Sequence, residues 1–440
     1  MPLQDGNILW FVLLLTEFQV AQVGFDGLSV PNFVLRLLHL SISSASNGVK
    51  TRMKALIVGT TCQHIDKISA VQLYPFFANR QRLRQELGLE FKVASAEKFS
   101  EIYQACKQHS DVDVMFIRPT WREDAQEAER IMRAIRRENP QTTIVFIDPF
   151  DQTSSRYFGV LPYVSWFLKY QRLKEVSDYH KPFVGGTQYT DYLAHRWNWD
   201  LDGWHVGSAV PKGYEHRIVA GWNIAINRRF KSNLFMPEML HSRKKDIAVF
   251  CRMSYGSQNK LEWYGRQRME AVQALQPLAT DYPLAVSGEF DETKTISTRQ
   301  YRSEIKRSRI IVAPFGWGES TWRDYEAVCF GGLLIKPNVD HIQTNPNIYV
   351  PGETYVPVKW DYSDLEEKCR YYLEHPEAAQ QIVQNARQVY KAYFKQGEFL
   401  RTIKRILLGQ ITLTYPPAPA QLSGLAGELV PVLEAPLSPP

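Results

Sequence analysis

A chain of 440 residues is longer than one ordinary hydrophobic core accommodates, so two domains plus tails are expected. Its 44% hydrophobic and 22% charged residues are those of an average soluble globular protein, and a net charge of +6, from 52 basic against 46 acidic residues, does not call for nucleic acid. Five scattered cysteines (Cys62, Cys106, Cys251, Cys329, Cys369) form no CxxC or Cys/His spacing, so neither a disulfide framework nor a zinc site is indicated and a reducing cytoplasm fits best.

In chain order, residues 1–52 read as an N-terminal extension outside the fold. Their apolar run Ile8 to Leu15 is too short to span a membrane and lacks the flanks of a secretory signal. A fresh start at Met53 runs into a strand, KALIVG. From there continuous apolar runs (FKVAS, VDVMFIRP, TTIVFIDPF) alternate with helical patterns over 68–88 (broken near Pro75), 96–109 and 122–138. Residues 150–243 are irregular and aromatic. The rhythm resumes with DIAVFCRM, a helix over 261–275, YPLAVSG, a helix over 298–307, RIIVAPFG, a helix carrying Arg323 and Glu326, then GLLIKP and TYVPVKW. Two closing helices follow between Asp364 and Phe394, and the Pro-rich residues 411–440 read as a disordered tail. Apolar runs alternating with helices predict parallel sheets covered on both faces, an α/β fold. The expected organisation is an N-terminal Rossmann-like acceptor domain over 53–240 and a C-terminal Rossmann-like donor domain over 241–410, facing a cleft with a hinge near residues 230–245.

The run from Ser308 to Pro337 carries the sharpest chemistry. A strand, a Gly-rich loop and a helix opening with Arg323 and Glu326 place two opposite charges on one helix face. Helix N-termini at such mouths favour anions. Arg323 is suited to clamp a diphosphate and Glu326 to accept from two ribose hydroxyls. Gly316 and Gly318 let the backbone approach a ligand, and Ser320 or Thr321 can cap the helix beside phosphate. Arg252 and Lys260, after DIAVFCRM, are further candidates for a donor diphosphate. His64, after the first strand, could take an acceptor proton, as could Asp66, Asp148 or Asp151. Trp199, Trp204 and Asn223 in the aromatic middle suit acceptor binding, since sugar rings stack on aromatics while amides fix hydroxyls. No DxD-type pair at a strand end calls for a metal.

The segment Ser308 to Phe394, with G-x-G-x-x-x-x-R-x-x-E-A-x-x-x-G-G at its heart and PNIYVPGETYVPVKW and "HPE" beyond, resembles the donor half of GT-B fold glycosyltransferases. More narrowly it resembles bacterial glycosyl transferase family 1-like and exostosin-type proteins. The resemblance implies a hexosyltransferase-type enzyme using a nucleotide-diphosphate sugar as co-substrate, with no cofactor and no metal, and a glycan or lipid-linked acceptor. It also implies a place in cell-surface polysaccharide assembly, in the cytoplasm or at the inner face of an anionic membrane. Glu326 would bind the ribose and Arg323 the pyrophosphate or the transferring sugar. Glu319 and Glu326 are separated by six residues, where retaining members often show seven, so the stereochemistry stays open. A sugar-nucleotide epimerase of the same fold and a non-catalytic sugar-binding or assembly protein are the alternatives. A dinucleotide oxidoreductase is disfavoured, because GTTCQHID offers only Gly59 where G-x-G-x-x-G is needed.

Overall fold

A computed structural model describes residues 52–62, 66–236, 244–256, 263–288 and 296–410. The expected extension before Arg52, the tail 411–440, His64, Lys260 and residues 237–243 of the expected hinge lie outside these.

Two parallel sheets form the protein. The first has six strands in the order β2-β1-β3-β4-β5-β7: β1 (Met53–Val58), β2 (Leu89–Ala94), β3 (Val114–Ile117), β4 (Thr143–Ile147), β5 (Trp166–Lys169) and β7 (Ile218–Ala220). The second has five, β13-β11-β10-β8-β9: β8 (Ile247–Arg252), β9 (Leu284–Ser287), β10 (Ser308–Val312), β11 (Leu333–Pro337) and β13 (Val356–Val358). In each sheet the first strand lies between the second and the third, the doubly wound order whose reversal point opens a crevice at the strands' carboxyl ends. Both sheets are all parallel, and their apolar runs are buried on both faces because helices cover them. This is the expected α/β arrangement of two Rossmann-like sheets.

Helices α1 (Lys67–Ala78), α2 (Arg80–Leu87), α3 (Phe99–Gln108) and α4 (Ala125–Glu138) cover the first sheet. Pro75 does not break α1. The chain turns at Asn79, whose backbone and side-chain amides both donate to the Pro75 carbonyl. On the second sheet, α7 (Trp263–Leu275), α8 (Thr298–Arg307), α9 (Trp322–Phe330), α10 (Leu365–Glu374) and α11 (Pro376–Lys395) follow. Gly331, at φ 65, ends α9 in the left-handed conformation that glycine adopts without strain.

The boundary at 240 separates the sheets but not the packing. In the aromatic middle, α5 (Gln188–Trp197) and α6 (Arg228–Leu234) bury Tyr189, Leu193, Phe230 and Leu234 with Phe250, Phe315 and Tyr325 of the second sheet's core. Conversely, α12 (Glu398–Leu408) returns to the first sheet, where Phe399, Leu400, Ile403 and Ile406 join Leu73, Phe76 and Trp222. A two-stranded antiparallel ribbon ties the halves directly: β6 (Gln171–Leu173) pairs with β12 (Ile342–Thr344). Beside it, the Asn223 amide N–H donates to the Asn345 carbonyl at 3.2 Å.

Candidate active site

The carboxyl ends of the two sheets meet around the β10–α9 loop, residues 313–321. Its shape follows from cross-ties. Gln171, at the start of β6, donates through Nε2 to Glu319 Oε2 at 2.9 Å and to the Asp151 carbonyl, while its Oε1 accepts from the Ser320 amide at 2.9 Å. Lys336 of β11 donates to the Glu319 carbonyl and to Asp324 Oδ2, both at 2.6 Å. Glu319 is 1% exposed, and its second oxygen lies 3.3 Å from His341 Nε2. Gly318 packs tightly on this seam: a Cβ there would lie 2.0 Å from the Asp151 carbonyl oxygen. Gly318→Ala should therefore cost about 1–3 kcal/mol of stability by overpacking, read as a lowered Tm.

The N-terminus of α9 is capped from within the chain. Thr321 Oγ1 donates to Asp324 Oδ1 at 2.8 Å, the Thr321 amide donates to Asp324 Oδ2 at 2.9 Å, and Ser320 shares a hydrogen bond with the Tyr349 hydroxyl at 2.8 Å. At the reversal point of the second sheet, between the ends of β8 and β10, three guanidinium groups surround one turn of backbone. Arg323 Nη2 donates to the Arg252 carbonyl at 2.5 Å and Arg268 Nη1 to the Ser254 carbonyl at 2.7 Å, while Arg252 forks onto Glu304 of α8. Arg323 Nε is buried with no hydrogen-bond partner among the described residues. Arg268 also donates to the Phe315 carbonyl at 3.2 Å and stacks 4.7 Å over Tyr264. Arg268 and Tyr301 escaped the sequence reading because only the fold brings α7 and α8 to this mouth. Cys251 lies beneath, and burial pushes its thiol up to about 12, as befits an inert core residue.

Glu326 is buried and doubly held. Its Oε1 accepts from Arg229 of α6 at 2.5 Å and its Oε2 from the Tyr301 hydroxyl at 2.9 Å. Asn223, expected at an acceptor surface, is 1% exposed, with its amide donating to the Tyr325 hydroxyl and its carbonyl accepting from the Ala225 amide. From this buried position it staples the halves together. Trp199 is half-buried, with its indole N–H on Asp202 at 2.9 Å. Trp204 packs into the cores of both sheets and against Trp263 and Trp317.

The acids at the mouth of the first sheet are unequal. Asp66 caps α1 and accepts from Arg118 at 2.5 Å. Asp148 is fully buried, with one oxygen on Lys169 and the other on Ser155 at 2.7 Å. Asp151 has no side-chain partner for its carboxyl among the described residues, and burial pushes it up to about 6. Among the described residues no three His, Cys, Asp or Glu side chains converge to hold a metal, and no helix is long and apolar enough to cross a membrane.

Residues 266–404 match the glycosyl transferase-like family. The match contains Arg268, the seam loop, Arg323 and Glu326, and encloses the segment whose resemblance was read from Ser308 to Phe394. Among solved structures the chain is similar to an alpha-glucosyltransferase in complex with UDP (10% identity, TM-score 0.40, covering 79% of this chain and 100% of that one). It is also similar to a glycosyltransferase from Rickettsia africae ESF-5 (11%, 0.45, 82% and 99%) and to the lipopolysaccharide outer core galactosyltransferase WaaB in its apo form (10%, 0.42, 82% and 100%). No relative matches among curated protein sequences.

Proposed function

We propose that the protein is a glycosyltransferase that holds a nucleotide-diphosphate sugar at the mouth of the second sheet and passes the sugar to a hydroxyl acceptor presented from the first. The carrying observation is the group of three guanidiniums at the second sheet's reversal point, two of them inside the segment that matches the glycosyl transferase-like family. Arg252 pairs with Glu304, Arg268 reaches the Phe315 and Ser254 carbonyls, and Arg323 keeps one buried N–H without a hydrogen-bond partner among the described residues. Guanidiniums that converge on one turn are suited to a diphosphate, and the same groups stabilise the charge that develops on it as it leaves. The ribose diol would replace the half-exposed Arg229 on Glu326.

In the reaction the acceptor oxygen attacks the anomeric carbon, the bond from that carbon to the phosphate oxygen breaks, and the acceptor proton passes to a base. Asp151 fills that role best, because Asp66 and Asp148 are committed to cations whereas Asp151 has no ion-pair partner among the described residues and its backbone adjoins the seam loop. The leaving diphosphate needs no metal in this reading. A hexose donor, a glycan or lipid-linked acceptor and a cytoplasmic setting complete the proposal. Arg80 and Arg84 of α2 line one groove with Arg52, Lys54 and Lys92, against Glu90 and Asp111, which suits contact with an anionic membrane surface.

Thermal shift against UDP-, GDP- and CMP-sugars and NAD tests the reading. A nucleotide sugar should raise Tm; no response to any nucleotide would overturn it. Arg323→Ala should weaken nucleoside diphosphate binding about 10–100-fold, as expected for one charge-assisted bond to phosphate, with the fold intact by circular dichroism.

A further inference from the structure

Trp317 stands at the tip of the seam loop with 41% of its surface exposed, whereas Phe315 in the same loop is fully buried. Burial of large aromatic side chains dominates core energetics, so an indole left in water forgoes a stabilising contribution. Nor is the ring loosely placed. Tyr264, Trp204 and Trp263 hold it at centroid separations of 5.1, 5.7 and 6.0 Å. Its flanking residues fix the location. A Cβ on Gly316 would lie 3.2 Å from Arg268 Nη2, and Gly318 abuts the Asp151 carbonyl. The indole is thus flanked along the loop by one residue beside the Arg268 guanidinium and one beside the Asp151 backbone.

We propose that Trp317 is the floor of a saccharide subsite, so that the acceptor is itself a sugar whose C–H face stacks on the indole. The inference rests on the glycosyltransferase reading and narrows its acceptor class. A sugar ring presents one apolar face edged by hydroxyls, and here an open indole packs on Tyr264, over which the Arg268 guanidinium stacks, while the next residue of the loop abuts the Asp151 carbonyl. An acyl chain would need an apolar surface that continues past one ring. Trp204, expected as an acceptor platform, packs against Trp317 at a centroid separation of 5.7 Å.

Saturation-transfer NMR on the full chain tests this, with glucose, galactose, N-acetylglucosamine, lactose and cellobiose as saccharide probes and UDP, GDP and CMP as nucleotide probes. At least one saccharide should bind. Trp317→Phe should retain that binding and Trp317→Ala should weaken it at least about tenfold, the scale of a lost stacking contact, while nucleotide binding stays unchanged. Trp121→Ala, at a tryptophan 50% exposed, should alter neither. Unchanged saccharide binding in Trp317→Ala overturns the proposal. So does a loss of nucleotide affinity in that variant, which would make the indole a base platform, or failure of every saccharide to bind the unmodified protein. Failure of every nucleotide to bind would count against the glycosyltransferase reading alone.

Discussion

Replacing Asp151 by Asn should lower turnover by about 10²–10⁴-fold while leaving nucleoside diphosphate affinity unchanged, the signature of a lost general base. The pH dependence supplies a second readout. The base works ionised, so the rate of the unmodified enzyme should rise with pH through about 6, where burial holds this carboxyl, and the Asn variant should lose that limb. Stability should move the opposite way. A carboxyl raised from 3.8 to about 6 on folding keeps its proton in the native state where the unfolded chain has released it. The unfolded state then binds fewer protons, and stability falls as pH rises from about 4 to about 6. Tm of the unmodified protein relative to Asp151→Asn should therefore drop across that window and level off above it. Unchanged turnover in the Asn variant would remove Asp151 from the chemistry.

Asp148→Ala should be the most destabilising of the single changes considered, by about 3–5 kcal/mol, because it strands the Lys169 ammonium in a place with no exposure. Lys169 would keep only its bond to the Ser154 carbonyl at 2.8 Å. Adding Lys169→Met should recover much of the loss, since an uncharged pair of similar volume removes the uncompensated charge. Urea unfolding of the single and double variants measures both terms. A catalytic Asp148 would behave otherwise: activity would vanish in the single variant with stability intact, and the double variant would restore nothing.

Most strands of both sheets were legible because they are continuous apolar runs alternating with helical periods; α8 begins and ends where the pattern placed it, at Thr298 and Arg307. Strands β5 and β7 were not legible. WFLK and IVA are short, and the chain between them forms short turns and α5 rather than one crossover helix, so no alternation marks them. At the site, the pairing of a Gly-rich loop with Arg323 and Glu326 was readable from spacing. Their partners were not: Tyr301, Arg229 and Gln171 lie 25, 97 and 148 residues from the acids they bind, and only tertiary packing brings them there. The same cause moved Asn223 and Asp148 from expected surfaces into buried ties. Polar residues at strand ends look alike in sequence whether they face a ligand or another side chain.

The docking of α12 on the first sheet has a consequence for how the protein is made. Leu73, Phe76 and Trp222 are synthesised long before Phe399, Leu400, Ile403 and Ile406 exist to cover them. At a translation rate of about 5–20 residues per second, the stretch from β7 to Phe399 takes roughly 10–40 s to emerge. During that interval the first sheet stands on the ribosome with one apolar flank bare. A nascent chain stalled before Phe399 should bind chaperones and yield to protease, and extension past Leu408 should end both.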